Sequence, residues 1–590
     1  MTELAETWIL TLLITLPLVG AVVVGLAEAR EADEAAARRI RRTAMGFSLA
    51  TAILTLLAIL LFFGAVDRSG RSLAEQGRYA LCLDRLWVSD EETAPSAARG
   101  AGYVDFRYHV GVDGISLWLV VLTAGIAPLT LWSGFASIRR RVKEYHVLML
   151  LLEAGMIGVF CARDLLLFYI FFEFTLIPLY FIIGIWGGPK RQQAAHKFFI
   201  YTFAGSVLTF AGVLFLAYQA YSLPASANGV GVFTFDLETL YALRLPPETQ
   251  WWLFVAFAAG FAIKVPLFPL HTWLPLAHTE APTAGSVLLA AILLKLGTYG
   301  FLRFSLPMLP AATFAFAPLM AILAIGGIIW GALAAWVQQD IKKLIAYSSV
   351  SHLGFCILGM FSLKSAGLVG SVMYMLNHGL STGALFLVVG MIYERYHTRR
   401  FDQLGGLARP MPWMAFFLVF FTLSSIGLPG LNGFVAEFLV LLGTLTSNAD
   451  GTGPLGIMHA AFAASGVILG ATYMLYLCRR VLFGPLREPA RAPEDYAGLS
   501  RDLDKREIGI LAPIAAACLV LGLFPNVILS SIRPAADRQI LARLRETPGK
   551  TQDSGITVQR HELPDETFLN RRSPLGTTRR ASWHGGLDYE

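Results

Sequence analysis

The chain has 590 residues, of which 55% are hydrophobic and only 15% are charged. Soluble globular proteins carry roughly 25% charged residues. The composition therefore excludes a soluble enzyme, a disordered scaffold and a coiled coil. Apolar runs of roughly 20 residues, each long enough to cross a bilayer as a helix, recur along nearly the whole chain. The sequence predicts an all-α polytopic membrane protein.

The net charge of +6 would suggest a nucleic-acid partner in a soluble protein. Here the basic residues lie in short loops between apolar runs, so orientation in the membrane explains them better. The five cysteines are scattered, and no pair has the C-x-x-C spacing of a metal site. No phosphate-binding glycine motif follows a strand. We therefore expect this chain to bind no nucleic acid, no metal and no cofactor.

Fourteen transmembrane spans are predicted. Their approximate limits, in chain order, are 8–26, 44–66, 114–134, 145–162, 164–187, 197–221, 251–270, 281–305, 311–336, 341–362, 365–394, 412–445, 457–483 and 507–532. The first span is too long for the apolar core of a signal peptide and has no basic segment before it. We expect it to be retained as a helix.

Two of these stretches contain residues that interrupt a helix. Pro266, Pro269 and Pro275 lie in or just after the seventh span, and the sequence LPGLNG occupies residues 428–433 within the twelfth. Proline removes a backbone hydrogen bond, and lipid offers no replacement partner for the freed groups. Both stretches are therefore predicted to be discontinuous helices that face protein or water.

The loops alternate in basic charge. One set carries clusters at 38–42, 139–143, 190–191, 342–343, 395–400 and 479–480, whereas the alternate short loops hold little more than Arg163, Arg303 and Lys364. The positive-inside rule places the first set in the cytoplasm. With fourteen spans, both termini are then expected in the periplasm, together with the long segment 67–113. The sequence of the polar tail 546–590 assigns it no chemical function.

Several ionisable residues lie inside the spans, where each charge costs roughly 2.5–3.5 kcal/mol on insertion scales. They are Glu153, Glu173, Lys264, Lys295, His352, His378 and Glu437. Each could be a structural residue with a polar neighbour, and the two histidines alone would prove little. Buried lysines and carboxylates in successive spans favour a proton or ion path instead. For Glu153 the sequence leaves both interpretations open.

The two broken spans suggest an internal repeat. Lys264 beside the first break corresponds to Glu437 beyond the second, and the offset is five spans. An odd offset inverts the topology, as in transporters built from inverted repeats. We predict helices 1–3 at 1–135, a first five-helix repeat at 136–308, and an inverted second repeat at 309–485. The last helix with its flanks occupies 486–545, before the tail.

His271 and His278 form a second candidate site. Two histidines this close could bind zinc, but no carboxylate stands at H-E-x-x-H spacing. The sequence favours a polar loop near the mouth of the path.

Five motifs of this chain are long and specific. They are YHVGVDGISL at 108–117, RDLLLF at 163–168 leading to Glu173, KVPLFPLHTWLPLAHTEAP at 264–282, KKLIAYSSVSH at 342–352, and NHGLS at 377–381 with the following residues to 400. In these motifs the chain closely resembles the M-type, antiporter-like membrane subunits of bacterial NADH–quinone oxidoreductase, or complex I. The resemblance covers about residues 105–530.

The resemblance implies a proton-translocating subunit of the bacterial inner membrane, with a 14-helix fold, two inverted repeats and a central hydrophilic axis. Glu173 and Lys264 resemble the family's Glu–Lys pair, and Lys295 its central lysine. His352 and His378 resemble relay residues and Glu437 the terminal acid, where L- and N-type sister subunits generally have lysine. The implied partners are those sister subunits, lipids and protons, with quinone reduction elsewhere in the complex.

Two other functions remain open at this point. The first keeps the fold but places it in a multi-subunit sodium/proton antiporter or a membrane-bound hydrogenase. The second is a silent membrane scaffold, against which the full row of ionisable residues argues.

Overall fold

The computed structural model describes residues 2–28, 33–67, 70–88, 104–222, 233–449, 451, 453–489 and 499–545. The tail 546–590 and the centre of the segment 67–113 lie outside these residues. Eighteen helices are described. They are α1 Thr2–Leu26, α2 Glu34–Gly64, α3 Ser116–Ser137, α4 Val142–Cys161, α5 Leu165–Trp186, α6 Arg191–Ser222, α7 Leu237–Tyr241, α8 Pro247–Lys264, α9 Leu274–Glu280, α10 Thr283–Met308, α11 Pro310–Trp336, α12 Ile341–Phe361, α13 Ser365–Tyr396, α14 Pro412–Ser425, α15 Asn432–Leu445, α16 Ile457–Leu482, α17 Lys505–Leu523 and α18 at 526–545.

Within the described residues, 12 helices are long and apolar enough to cross a membrane. The two broken helix pairs, α8 with α9 and α14 with α15, stand where the seventh and twelfth spans were predicted. The predicted fold class, a polytopic helical membrane protein, is confirmed. The helices α10, α12 and α13 have almost no exposed surface and form the centre of the bundle.

Both predicted breaks are present. Helix α8 ends at Lys264, and irregular backbone with Pro266 and Pro269 follows before α9 begins. Helix α14 ends at Ser425, and Gly427 and Gly430 then adopt φ angles of 71° and 92°. Glycine adopts these left-handed angles without steric cost. The breaks bring backbone polar groups to the interior of the bundle, where side chains of neighbouring helices can reach them.

Helix α10 contains two π-helical turns that the sequence did not indicate, Leu289–Leu293 and Phe301–Ser305. A π turn shifts the face of every later residue and is frequent at functional sites. Lys295 follows the first turn, and Arg303 lies in the second.

The segment 67–113 contains a β-sheet that the sequence analysis missed. Strands β1, Ala80–Val88, and β2, Val104–Val112, pair antiparallel, and β2 pairs in parallel with the short β3, Phe233–Thr234. Helix α18 packs against the residues that precede β1, where the Gln539 side chain donates to the backbone oxygen of Gly77 at 2.9 Å. Only β3 is short and lies more than a hundred residues from its partner, which makes it hard to recognise from sequence, whereas β1 and β2 are nine residues each and neighbours in the chain.

Two arginines that the sequence analysis placed in short loops are instead buried inside the bundle, and that prediction was wrong. Arg303 in α10 contacts both carboxylate oxygens of Asp113 at 2.8 Å. Arg395, in the last turn of α13, pairs with Glu507 of α17 at 2.7 Å. All four side chains are at most 1% exposed. Burial of a charged side chain is tolerated here because each is paired with its opposite.

Candidate functional site

Lys295 lies at the centre of the bundle and is completely buried. Because it follows a π turn of α10, its side chain faces α13. The Nζ atom donates to the backbone oxygen of Ala290 at 2.5 Å and lies 2.6 Å from Nδ1 of His378. The other ring nitrogen of His378, Nε2, is buried and has no hydrogen-bond partner. Lys295 and His378 are therefore in direct contact, and the histidine keeps one nitrogen free for a further partner.

A second set of contacts continues from this pair toward α15. The rings of His378 and His352 lie 5.7 Å apart between centroids. Nδ1 of His352 lies 2.7 Å from the hydroxyl oxygen of Tyr374, and that hydroxyl donates to Glu437 Oε1 at 3.2 Å. Four of the predicted site residues, with Tyr374 between them, thus form one row of neighbours. We call it the central row: Lys295, His378, His352, Tyr374 and Glu437.

The break between α14 and α15 shapes the Glu437 end of the central row. A Cβ atom at Gly427 would collide with the Glu437 carboxylate, so only glycine lets the broken backbone approach so closely. Ser425, at the end of α14, places its hydroxyl 3.3 Å from Nε2 of His352. A cavity of about 10 Å³ lies between the two histidines and Glu437. A water molecule needs about that much room.

Glu173 and Lys264 lie near each other but do not form a direct ion pair among the described residues. Lys264 Nζ donates to the backbone oxygen of Phe172 at 3.0 Å and lies 3.6 Å from the centre of the Phe172 ring. The Lys264 charge acts electrostatically on the Glu173 carboxyl, next to Ser206. Oε1 of Glu173 is buried without a hydrogen-bond partner. The predicted pair is thus an arrangement of neighbours, with the lysine satisfied elsewhere.

His278 was predicted to lie in a polar loop, and this was wrong. It belongs to the short helix α9, is completely buried, and stacks on Phe386 with ring centroids 4.6 Å apart. Both of its ring nitrogens lack a hydrogen-bond partner. The charges of Lys295 and Lys342 act on it electrostatically, so it lies between the centre of the bundle and the basic loops.

Two polar residues of the site were missed in the sequence analysis. Tyr374 lies four residues before His378 on α13, and this spacing puts both on one helix face. That periodicity could have identified Tyr374. Lys342 was assigned to a basic loop, but it is 5% exposed and donates to the backbone oxygen of Ala281 at 2.5 Å. Only the tertiary fold shows that this lysine is buried.

No group of three or more His, Cys, Asp and Glu side chains that could hold a metal ion occurs in the part of the chain that the structure describes. The polar groups that converge inside the bundle are amines, imidazoles, hydroxyls and carboxyls. Such groups can hold and pass protons. A polytopic helical bundle with two broken helices and a buried row of this kind defines an antiporter-like membrane subunit.

Comparisons with known proteins agree with this class. The transmembrane family described as NADH:quinone oxidoreductase/Mrp antiporter matches residues 162–462. NADH-quinone oxidoreductase subunit M of Rhodobacter capsulatus is 42% identical over 540 residues, which cover 89% of this chain and 95% of the relative. NADH-ubiquinone oxidoreductase chain 4 of Arabidopsis thaliana is 41% identical and covers 77% of this chain and 88% of its own. The chain belongs to the NADH-quinone oxidoreductase subunit M family.

Solved structures show the same fold. A chain of respiratory complex I from Thermus thermophilus superimposes with a TM-score of 0.73 at 30% identity, covering 91% of this chain and 99% of its own. A chain of the Mrp complex from Dietzia sp. DQ12-45-1b reaches a TM-score of 0.69 at 23% identity, covering 90% of this chain and 52% of its own. That second likeness concerns the fold alone. The predicted family resemblance is confirmed.

Proposed function

We propose that this chain translocates protons as a membrane-arm subunit of NADH-quinone oxidoreductase, driven by quinone reduction elsewhere in that complex. The observation that carries the proposal is the central row, an almost unbroken series of proton-carrying groups from Lys295 to Glu437. Glu173 and Lys264 form the other end of the path. The proposed partners are L- and N-type antiporter-like subunits of the same membrane arm, together with lipids.

The geometry of the central row supports stepwise proton transfer. Lys295 can pass a proton from Nζ to Nδ1 of His378 across 2.6 Å, a normal hydrogen-bond distance. The 5.7 Å between the ring centroids of His378 and His352 is the one wide step, and the small cavity beside them has the room of about one water. From His352 the hydroxyl of Tyr374 leads to the Glu437 carboxylate.

The first half of the path is less continuous. Oε1 of Glu173 has no partner, so this carboxyl can accept a proton without first giving up a hydrogen bond. Lys264 can hold a second proton on its amine, and its charge stabilises the ionised form of Glu173. Transfer of a proton away from Glu173 therefore depends on the distance between the Lys264 amine and the Glu173 carboxyl. His278, which is under the influence of Lys295, is a further proposed member of the path.

We also propose that the two halves are inverted repeats, residues 136–308 and 309–485. Helix α4 contacts α10 across the first half, as α11 contacts α16 across the second. Helix α6 packs on the broken span that follows it, and α13 likewise packs on α14 and α15. Equivalent contacts at equivalent positions are what an internal repeat produces.

The proposed orientation follows the positive-inside rule and places both termini in the periplasm, in the inner membrane of a bacterium. It can be tested with protease added to sealed vesicles whose cytoplasmic face is outside. The tail 546–590 should stay intact in these vesicles and be cut in vesicles of the opposite orientation. Cleavage in the first preparation would place the tail in the cytoplasm and contradict the proposed orientation.

The function is tested by Glu437→Gln and Glu173→Gln in the assembled complex. Both variants keep the size of the side chain and remove its proton-binding charge, so quinone reduction and proton uptake should fall together. Glu173→Asp should do less harm, because the carboxylate remains. Glu248→Gln, at the exposed start of α8, is the matched control. NADH-driven rates at equal complex content provide the measurement, and wild-type rates in both glutamine variants would contradict the path.

A further inference from the structure

A second group of buried polar side chains lies outside the central row, between α2 and α4. Glu153 of α4 is completely buried, and neither of its carboxyl oxygens has a hydrogen-bond partner. Ser48 of α2 is equally buried and lies beside this carboxyl, within reach of a weak interaction but without a hydrogen bond of normal geometry. An ionised carboxylate without a partner is costly to bury. This site is therefore complete only when the carboxyl carries a proton or a small polar molecule bonds to it.

The same two helices extend this group toward the basic loops. His146 lies seven residues before Glu153, which is two turns of the same face of α4. Its Nδ1 contacts the backbone oxygen of Val142 at 2.7 Å, and its Nε2 is buried without a partner. Arg41 stands seven residues before Ser48 on α2, and its charge acts on the His146 ring. Two matching pairs of residues thus repeat along one helix interface.

The outer end of this interface reaches a large cavity. Arg41 and Ile138 line a cavity of about 1020 Å³ on the side of the basic loops. Arg41 donates to the backbone oxygen of Ile138 at 2.8 Å, while its Nε is buried and unpartnered. Glu153 lies eleven residues beyond the first residue of α4, about 16 Å deep at 1.5 Å per residue. That depth is close to the middle of a hydrocarbon core of about 30 Å.

We propose that Glu153, Ser48 and His146 form a second proton-binding site, which exchanges its proton with the basic-loop side through His146 and past Arg41. The site is separate from the central row and does not require that row to conduct. Glu153 binds the proton and Ser48 bonds to the carboxyl. The free Nε2 of His146 is the next proton acceptor, about 10 Å away along α4, so water must bridge that distance and the step from His146 to the cavity. The structural alternative, a permanently ionised glutamate, would need a cationic partner, and among the described residues only Ser48 acts on this carboxyl.

Infrared difference spectroscopy on the whole complex in lipid vesicles tests this proposal. A protonated carboxyl gives a C=O stretching band that shifts when H₂O is replaced by D₂O. Glu153→Gln should remove one such exchangeable band, and Glu153→Asp should move it without removing it. Glu437→Gln is the control and should leave that band in place. If Glu153→Gln keeps every exchangeable carboxylic-acid band, Glu153 carries no exchangeable proton and the proposal is wrong.

The route is tested by the rate at which this band shifts in D₂O. His146→Phe should slow the shift on the order of 10²-fold, the range in which a positioned acid–base group contributes. Tyr145→Phe keeps the ring that packs edge-to-face on His146 and removes only a hydroxyl without a hydrogen-bond partner among the described residues, so it should keep the wild-type rate. Arg41→Met tests the entrance if His146→Phe does not assemble. Wild-type exchange in His146→Phe, or in Arg41→Met as its substitute, would show that the proton enters elsewhere.

Discussion

Helix α13 carries two kinds of buried charge interaction, one at its middle and one at its end. At the end, all five N–H groups of Arg395 are used: two on the Glu507 carboxylate and one each on the backbone oxygens of Met391, Ser500 and Asp502. In the middle, the Tyr374 hydroxyl contacts only His352 and Glu437 among the described residues, Nδ1 of His378 contacts Lys295, and Nε2 of His378 has no partner. At the end of α13 every hydrogen-bond donor of Arg395 is used, whereas in the middle of the helix one ring nitrogen remains unused.

This difference separates a structural interaction from one that can conduct. A saturated ion pair fixes its protons, because any transfer would break several hydrogen bonds at once. Singly bonded groups with free lone pairs can change partners at the cost of one bond. Buried charge alone therefore does not identify the proposed path. The number of unused donor and acceptor positions distinguishes the central row from Arg395 and Glu507.

The largest effect is expected from breaking the saturated pair. Glu507→Leu leaves Arg395 buried without its counter-charge, which costs about 3–5 kcal/mol. The amount of assembled complex in membranes should fall sharply, as measured on native gels. The double variant Arg395→Met with Glu507→Leu should recover much of this loss, since apolar replacement of both partners is often nearly neutral. A stable, fully assembled Glu507→Leu complex would contradict the structural role.

Replacing Lys295 in the central row should lower turnover but not assembly, in contrast to Glu507→Leu. Lys295→Met keeps an unbranched side chain and removes the amine that contacts His378, so assembly should stay near normal. Turnover and proton uptake should fall on the order of 10²-fold, as for other positioned proton carriers. The readout is NADH-driven quinone reduction and proton uptake at equal complex content. Loss of assembly with normal specific activity would make Lys295 a structural residue.

A smaller effect is expected at Tyr374, which joins His352 to Glu437. Tyr374→Phe removes only the hydroxyl, and a water in the neighbouring cavity can replace part of the connection. Turnover should fall on the order of tenfold, at the low end of proton-transfer effects. Tyr473→Phe is the matched control, because its hydroxyl lies 3.4 Å from the other nitrogen of His352 and outside the row. Equal rates in the two variants would remove Tyr374 from the path.

The smallest effect is expected outside the membrane, where Asp236 accepts a contact from Nδ1 of His109 at 2.8 Å. Burial disfavours the carboxylate, but bonds from His109 and Thr239 outweigh it and lower the pKa of Asp236. A carboxyl with a lowered pKa stabilises the fold above its ordinary pKa and loses that contribution as the pH falls through the folded value.

Acidification should therefore loosen the pairing of β2 with β3 by about 1 kcal/mol. Hydrogen exchange of the β2 amides measures this change, and Asp236→Asn should abolish the acid-induced step. A step of unchanged size in that variant would assign the acid response to another group.

The sequence by itself determined the fold class, the two breaks and the candidate proton carriers. Apolar runs of span length and helix-breaking prolines and glycines are local signals, and lipid allows few alternatives for such a chain. Each ionisable residue in an apolar run was visible for the same reason, because its charge contrasts with its neighbours. The family resemblance rested on motifs that contain these same residues, including Lys264 and His352.

Only the tertiary structure decided which of these residues meet. The π turn before Lys295 directs its amine to His378, and no local pattern predicts that turn. Arg303 and Arg395 read as loop residues because their acidic partners are remote in sequence, 190 and 112 residues away. The pairing of β3 with β2 was missed for the same physical reason, because more than a hundred residues separate the two strands. These ion pairs and strand pairings join residues that are remote in sequence and are brought together by tertiary packing. A short stretch of sequence contains only one of the two partners.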